Sequence, residues 1–174
     1  MKLSEECQLI VKHIIKRADE YNMNKDNPNQ VSITISRIQK ILYFIQIEYI
    51  KHTGNIMFED DFYALPAGPT IKEVHDLYID YATGKASELK FPCGKLPQDK
   101  RQIIDIVLEN TNSIDTVTLS KYSRKIDNIW INTYTSEDSN KLISKSVLIN
   151  YYKPEKKTQT KKRIRKNMYF TKAN

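Results

Sequence analysis

Glycine and proline are scarce in this chain of 174 residues, at 4 and 6 copies. Folds built on tight β-turns consume both, so a helical architecture is favoured. Cysteine is rarer still. Cys7 and Cys93 stand far apart, without metal-type spacing or an adjacent base. They read as reduced, partly buried small hydrophobes in a cytosolic protein. Long apolar runs are also missing. The longest, Ile41–Ile45, falls far short of the ~20 residues that span a bilayer, so no membrane partner is expected. A secretory leader needs a basic start and an apolar run. Here Glu5 and Glu6 occupy that region, and a cytoplasmic location is expected.

Acidic residues are almost absent from one segment. Lys153–Asn174 holds nine Lys or Arg and the single acid Glu155, a charge of +8 against +7 for the whole chain. Residues 1–152 therefore carry −1, and the basic character belongs to the tail. The expected organisation is a helical domain over 1–152 and a basic C-terminal tail over 153–174. Within the tail, Lys161, Lys162, Arg163, Arg165 and Lys166 concentrate five charges in six residues. Such a run attracts phosphates or an acidic protein surface through long-range, salt-sensitive forces. Tyr169-Phe170 adds rings on which a base can stack.

What is present is helical periodicity. Leu9, Ile10, Ile14, Ala18 and Tyr21 form one face of a helix over Ser4–Tyr21. The polar stretch Asn22–Gln30 is a loop. Thr34–Gly54, "TISRIQKILYFIQIEYIKHTG", opens on a capping threonine and ends on a stop glycine. It is apolar on several sides, which predicts the buried central helix of the domain. Gln39 and Gln46, seven apart and so on one side, are expected to hydrogen-bond neighbouring backbone there.

Phe62–Leu65 predicts a short extended or β-hairpin segment near 56–66. Gly68-Pro69 predicts a turn, with Pro69 just inside a helix over Thr70–Tyr81. Asp99 and Gln102 suggest a capping box for a helix through Glu109. Shorter helices are expected over Val117–Arg124 and Ile126–Tyr134, and a last one from Ser144 to Tyr152. The fold class is thus mainly α, a compact multi-helix domain around a central buried helix.

No catalytic constellation is visible. The glycines are isolated, so no phosphate-binding loop exists. His13, His52 and His75 lack a paired ligand four residues away. Glu59-Asp60-Asp61 has no second cluster of oxygen ligands spaced around it. No enzyme activity, cofactor or metal is expected. Asp99–Arg124 admits a loose helix-turn-helix reading, with Lys121, Arg124 and Lys125 in or after its second helix. Eleven tyrosines suit an interface, since one ring offers apolar area and a hydroxyl. Tyr63, Tyr78, Tyr81 and Tyr122 are the candidate partner-binding residues.

The segment Ile38-Gln39-Lys40-Ile41-Leu42-Tyr43-Phe44, with Tyr49 and Gly54 after it, resembles the central-helix mark of the Panacea domain, the SocA-like antitoxin or phage-associated GepA-like family. Further marks follow in order. They are Phe58–Phe62, Ala64, Gly68-Pro69, Glu73 with Leu77-Tyr78, Leu119–Arg124, Trp130, and Ile143-Ser144 leading to Tyr151-Tyr152. The resemblance covers about Leu9 to Tyr152. It makes Gln39, Lys40, Tyr43, Phe44, Gly68, Pro69 and Trp130 the fold signature.

Three positions depart from the family pattern. Ser123-Arg124 stands for Thr-His, Ile129 stands for the proline before Trp130, and Pro66-Ala67 replaces an aromatic-basic residue. Roles of that histidine and proline do not transfer. The resemblance implies a non-enzymatic antitoxin-like protein that binds and neutralises a toxin or comparable protein target, in a toxin–antitoxin, mobile-element or phage context. Two other readings stay open: a nucleic-acid-binding regulator acting through the tail, and a phage-encoded inhibitor of a host defence protein.

Overall fold

The fold comes from a computed structural model, which describes residues 2–24, 30–82, 90–135 and 141–154, with backbone only at 78 and 80–82. Helix α1, Glu5–Met23, begins where Ser4 Oγ accepts from the Cys7 N–H, and Glu5 and Glu6 complement its N-terminal dipole. It buries Cys7, Ile10, Val11, Ile14 and Ala18. Helix α2, Ile35–Thr53, starts on Thr34, whose hydroxyl accepts from the Arg37 N–H. It ends at Gly54, left-handed at φ 75°, which returns its N–H to the Ile50 carbonyl. Lys51 and His52 sit in the last turn, where positive charge meets the exposed carbonyls.

After α2 the chain forms a hairpin. Strands β1, Tyr63–Leu65, and β2, Gly68–Thr70, pair antiparallel with Tyr63 opposite Thr70 and Leu65 opposite Gly68. The turn is Pro66-Ala67. The expected turn at Gly68-Pro69 is therefore displaced: both residues belong to β2. Proline has no N–H to give a sheet, and Pro69 faces Ala64, whose own N–H turns to the other side and donates to the Lys141 carbonyl at 2.8 Å. Ile143 N–H donates to the Phe62 carbonyl at 2.8 Å, so 141–143 flanks β1 on the edge away from β2.

Four more helices and one short turn of helix complete the described chain: α3 Lys72–Ala82, α4 Gln98–Thr111, α5 Thr116–Lys125, α6 Ile129–Thr133 and α7 Lys145–Tyr152. Two capping expectations fail. Asp99 and Gln102 form no box, because α4 starts a residue earlier with Pro97 at its cap and no side-chain bond. Ser144 caps nothing; its hydroxyl shares a 2.7 Å bond with Ser146 instead. The cap of α5 is Asp115, which accepts from the Thr118 N–H. The helix expected over Ile126–Tyr134 shrinks to Ile129–Thr133. Asn128 adopts φ 58° ahead of it, and the Asp127 carboxylate takes the Ile129 N–H at 2.9 Å.

Helix α2 lies at the centre, packed chiefly on α4, α5, α7 and β2. From Arg37 to Ile50 every residue except Tyr49 is buried. Buried polar groups destabilise unless paired, and five of the polar side chains on α2 reach a different neighbour. Arg37 donates through Nη2 and Nη1 to the Thr111 and Ile114 carbonyls, both at 2.7 Å, closing the C-terminus of α4. Gln39 treats the Ile71 peptide as a strand would, donating to its carbonyl and accepting its N–H at 2.8 Å each. Gln46 does the same for Phe58 and Met57, at 3.1 and 2.9 Å. Lys40 and Tyr43 reach the hairpin and the α5–α6 turn. Gln39→Leu keeps the volume but leaves a buried N–H and a buried carbonyl unpaired. Urea unfolding is expected to show a loss of about 2–4 kcal/mol, with Gln46→Leu behaving alike.

Candidate functional site

The hairpin is the part of the fold on which most of the signature residues converge. From below, Lys40 Nζ donates to the Pro69 carbonyl at 3.0 Å and is buried. Gly68 closes this space. Its φ is +105°, and a Cβ there would lie 2.8 Å from Ser123 Oγ and 3.2 Å from Lys40 Nζ. Ser123, fully buried, donates to the Ser120 carbonyl at 3.0 Å. No carboxylate pairs with Lys40 among the described residues. Burial, with a smaller push from the Arg124 charge, lowers its pKa from 10.5 to about 7.

From the side, Trp130 Nε1 donates to the Leu65 carbonyl at 2.9 Å and Arg124 Nη1 to the Pro66 carbonyl at 3.0 Å. The Arg124 guanidinium lies 5.6 Å from the centre of the Trp130 ring, and Tyr134 stacks on that ring at 4.7 Å and 11°. At the other end of β1, Lys72 Nζ sits 4.1 Å over the Tyr63 ring. Pro66 and Ala67 at the turn are exposed. Two large apolar side chains of neighbouring segments are also open to solvent, Ile131 at 58% and Leu142 at 50%. Leu142 forms a bridge to Tyr63.

Behind the hairpin, the buried Asp127 carboxylate gathers three donors. Tyr43 Oη approaches at 2.9 Å and Tyr152 Oη at 2.5 Å, both on Oδ2, while Oδ1 holds the Ile129 N–H. Burial first, then this carboxylate, pushes both tyrosine pKa values well up. Lys51 Nζ lies 5.0 Å over the Tyr152 ring. Its pKa falls to about 8 through burial, opposed by the charges of Glu48 and Asp127.

The residues singled out in the sequence scatter accordingly. Gln39, Lys40, Gly68, Pro69 and Trp130 meet at the hairpin, and Tyr43 reaches the Asp127 site. Phe44 is a core ring, 6.5 Å from the Tyr43 ring. Tyr63 and Tyr122 are half-buried, Tyr122 packing on the core. Tyr78 and Tyr81 sit on α3, but their side chains lie outside the described residues, as do Lys161, Lys162, Arg163, Arg165 and Lys166.

The histidines find ordinary partners. His13 meets Asp105 at 3.0 Å, His52 the Glu48 carbonyl at 2.8 Å, and His75 Asp76 at 3.7 Å. Among the described residues no group of three His, Cys, Asp or Glu can hold a metal, and no helix is long and apolar enough to cross a membrane. One concavity, an open cleft of about 680 Å³ at the ends of α1 and α4, is lined by residues that include Arg17, Glu20 and Asp105, and Arg17 already pairs with both carboxylates. Arg37, Arg124 and Asp127 were not singled out as site residues. The Asp127-Asn128 pair between two short helices was the one available signal, since Asn tolerates the left-handed turn found there.

The family model described as Antitoxin SocA-like, Panacea domain, matches residues 38–131, more than half of the chain. The chain therefore belongs to this antitoxin-like family. The match opens on the polar face of α2 and closes just after Trp130, so it encloses the hairpin and the side chains that hold it. No curated protein and no solved structure matches the chain.

Two measurements probe this assembly. Between about pH 7 and 10.5 the unfolded chain binds a proton at Lys40 that the native state has released. Stability therefore rises with pH across that window, and Lys51 adds to the rise from about 8. Above the ordinary tyrosine value of 10.0 the unfolded chain loses protons that Tyr43 and Tyr152 keep, so stability falls. Stability from urea unfolding is expected to climb by at least about 1–2 kcal/mol from neutral pH to a maximum near 10, and Lys40→Met is expected to remove the larger part of the rise, leaving the part that comes from Lys51. Gly68→Ala meets both the positive φ and the Ser123 hydroxyl, and is expected to lose about 2–3 kcal/mol in the same assay.

Proposed function

We propose that this protein is the antitoxin of a toxin–antitoxin pair and neutralises a protein toxin by holding it, without chemistry on the target. The observation that carries this reading is the overlap between the family match over 38–131 and the rigidly held hairpin at its centre. A binding surface works best when its backbone is fixed before the partner arrives, because ordering it on contact costs affinity. The hairpin meets that condition: side chains of α2, α5 and α6 hold the carbonyls of Leu65, Pro66, Pro69 and Ile71. Exposed Ile131 and Leu142 beside it supply apolar anchors, with Arg124, Trp130 and Tyr63 of the type that dominates interface energetics.

In this reading residues 1–152 form the capture domain, cytoplasmic and non-enzymatic. The basic segment 153–174 is an accessory arm that strengthens attraction to an acidic surface or a nucleic acid. Tyr63 and Tyr122 contribute apolar area at the edge of the capture surface, with Tyr78 and Tyr81 on α3 as its extension.

Co-expression with the product of the adjoining gene tests the proposal. The wild-type chain is expected to rescue growth and to co-purify with that product. Ile131→Asp with Leu142→Asp, both at exposed positions, is expected to abolish rescue while leaving the thermal midpoint within a few degrees. Toxicity that persists beside well-expressed wild-type protein, with no complex formed, rules the reading out.

A further inference from the structure

The cations around the hairpin share a property that the fold does not require. Lys72 stands over Tyr63, Arg124 over Trp130, and Lys141 lies opposite Ala64. Lys121 is three residues before Arg124 on α5, so the two share a side of that helix, and Lys125 follows. Lys121, Lys125 and Lys141 are exposed. Among the described residues none of these five has a carboxylate partner within 4.0 Å. Several cations elsewhere do have carboxylate partners: Lys16 and Arg17 with Glu20, Lys100 with Glu6, Lys145 with Asp61. The body as a whole is close to neutral, so an unpaired positive group of this size is local.

We infer that the hairpin face receives an acidic segment of the protein partner, its carboxylates meeting Lys72, Lys121, Arg124, Lys125 and Lys141 while an apolar residue seats between Ile131 and the Pro66-Ala67 turn. This inference rests on the capture function proposed above and names the chemistry of the captured element. Two observations favour an acidic protein segment over a nucleic-acid strand. The described rings at the face already have ring or cation partners: Trp130 and Tyr134 stack on each other and Tyr63 lies under Lys72, which leaves less ring surface for a base. The exposed apolar side chains Ile131 and Leu142 suit a protein anchor and have no role against phosphates. Unpaired surface charge steers association and sets its salt dependence more than it sets packing energy.

The test uses the full chain and the adjoining gene product, with affinity measured at two salt concentrations. Lys121→Glu with Lys125→Glu, both exposed and clear of the core, is expected to weaken binding at least tenfold at low salt and to flatten its salt dependence. Lys16→Glu, at an exposed position of α1 where the lysine already pairs with Glu20, serves as control and is expected to change binding less than twofold. A wild-type complex that is indifferent to Lys121→Glu/Lys125→Glu overturns this inference but leaves the capture function standing. Absence of any wild-type complex removes the capture function itself. A fluorescent single-stranded oligonucleotide supplies the remaining arm. If it binds the wild type and is released by the same double substitution, the face reads nucleic acid and the inference is wrong.

Discussion

A helix enclosed on nearly every side cannot carry polar side chains unless each is answered by a neighbour. That constraint governs this molecule. Helix α2 is buried from Arg37 to Gln46 without a break and holds Arg37, Gln39, Lys40, Tyr43 and Gln46 within that span. Each ends on a group of another segment: the end of α4, the β2–α3 junction, the hairpin, the α5–α6 turn, and the entry to the hairpin loop. Apolar burial alone would let these segments slide, since it is non-directional. The polar contacts fix where each one stops. The resulting register is why a strand pair of three residues per side can be well placed in a helical protein, where an isolated hairpin is marginal.

Charge is handled in an unusual way around the hairpin. Asp127 is buried and takes two tyrosine hydroxyls and a backbone N–H, so its charge is spread over neutral donors. Lys40 is buried a short way off with a carbonyl as partner, and burial favours its neutral form. The two are answered separately. Asp127 and Lys40 are thus held by hydrogen bonds rather than by ion pairs, while the cations of the hairpin face have no carboxylate partner among the described residues.

Much of the helical framework was legible in the sequence, and the reasons are local. Periodicity, with the caps Thr34 and Gly54 for α2, delimits α1 and α2 to within two residues. The seven-residue spacing of Gln39 and Gln46 pointed to partners in neighbouring backbone because both lie on one side of a helix that is apolar nearly all round. The hairpin boundary was harder. Gly68-Pro69 has turn chemistry in isolation, and only the pairing of Pro69 with Ala64, whose N–H leaves for Lys141, makes it a strand. The Ala64–Lys141 bond joins residues more than seventy apart in sequence and leaves no local trace. Asp127 was missed for the same reason: its partners come from α2 and α7. Cap chemistry misled at Asp99 and Ser144, where the spacing was right and the side chains were otherwise engaged or idle.

The shared carboxylate of Asp127 ties the last helix of the described chain to the central helix α2 through a single atom. Tyr43 and Tyr152 both hold Oδ2, and neither bond can be given up without leaving a buried negative charge short of a donor. The final helix is therefore not an appendage that can fray by itself. Its release is coupled to exposure of the centre, so the body loosens as one cooperative unit. A truncation that takes away Tyr152 removes a keystone of the interior.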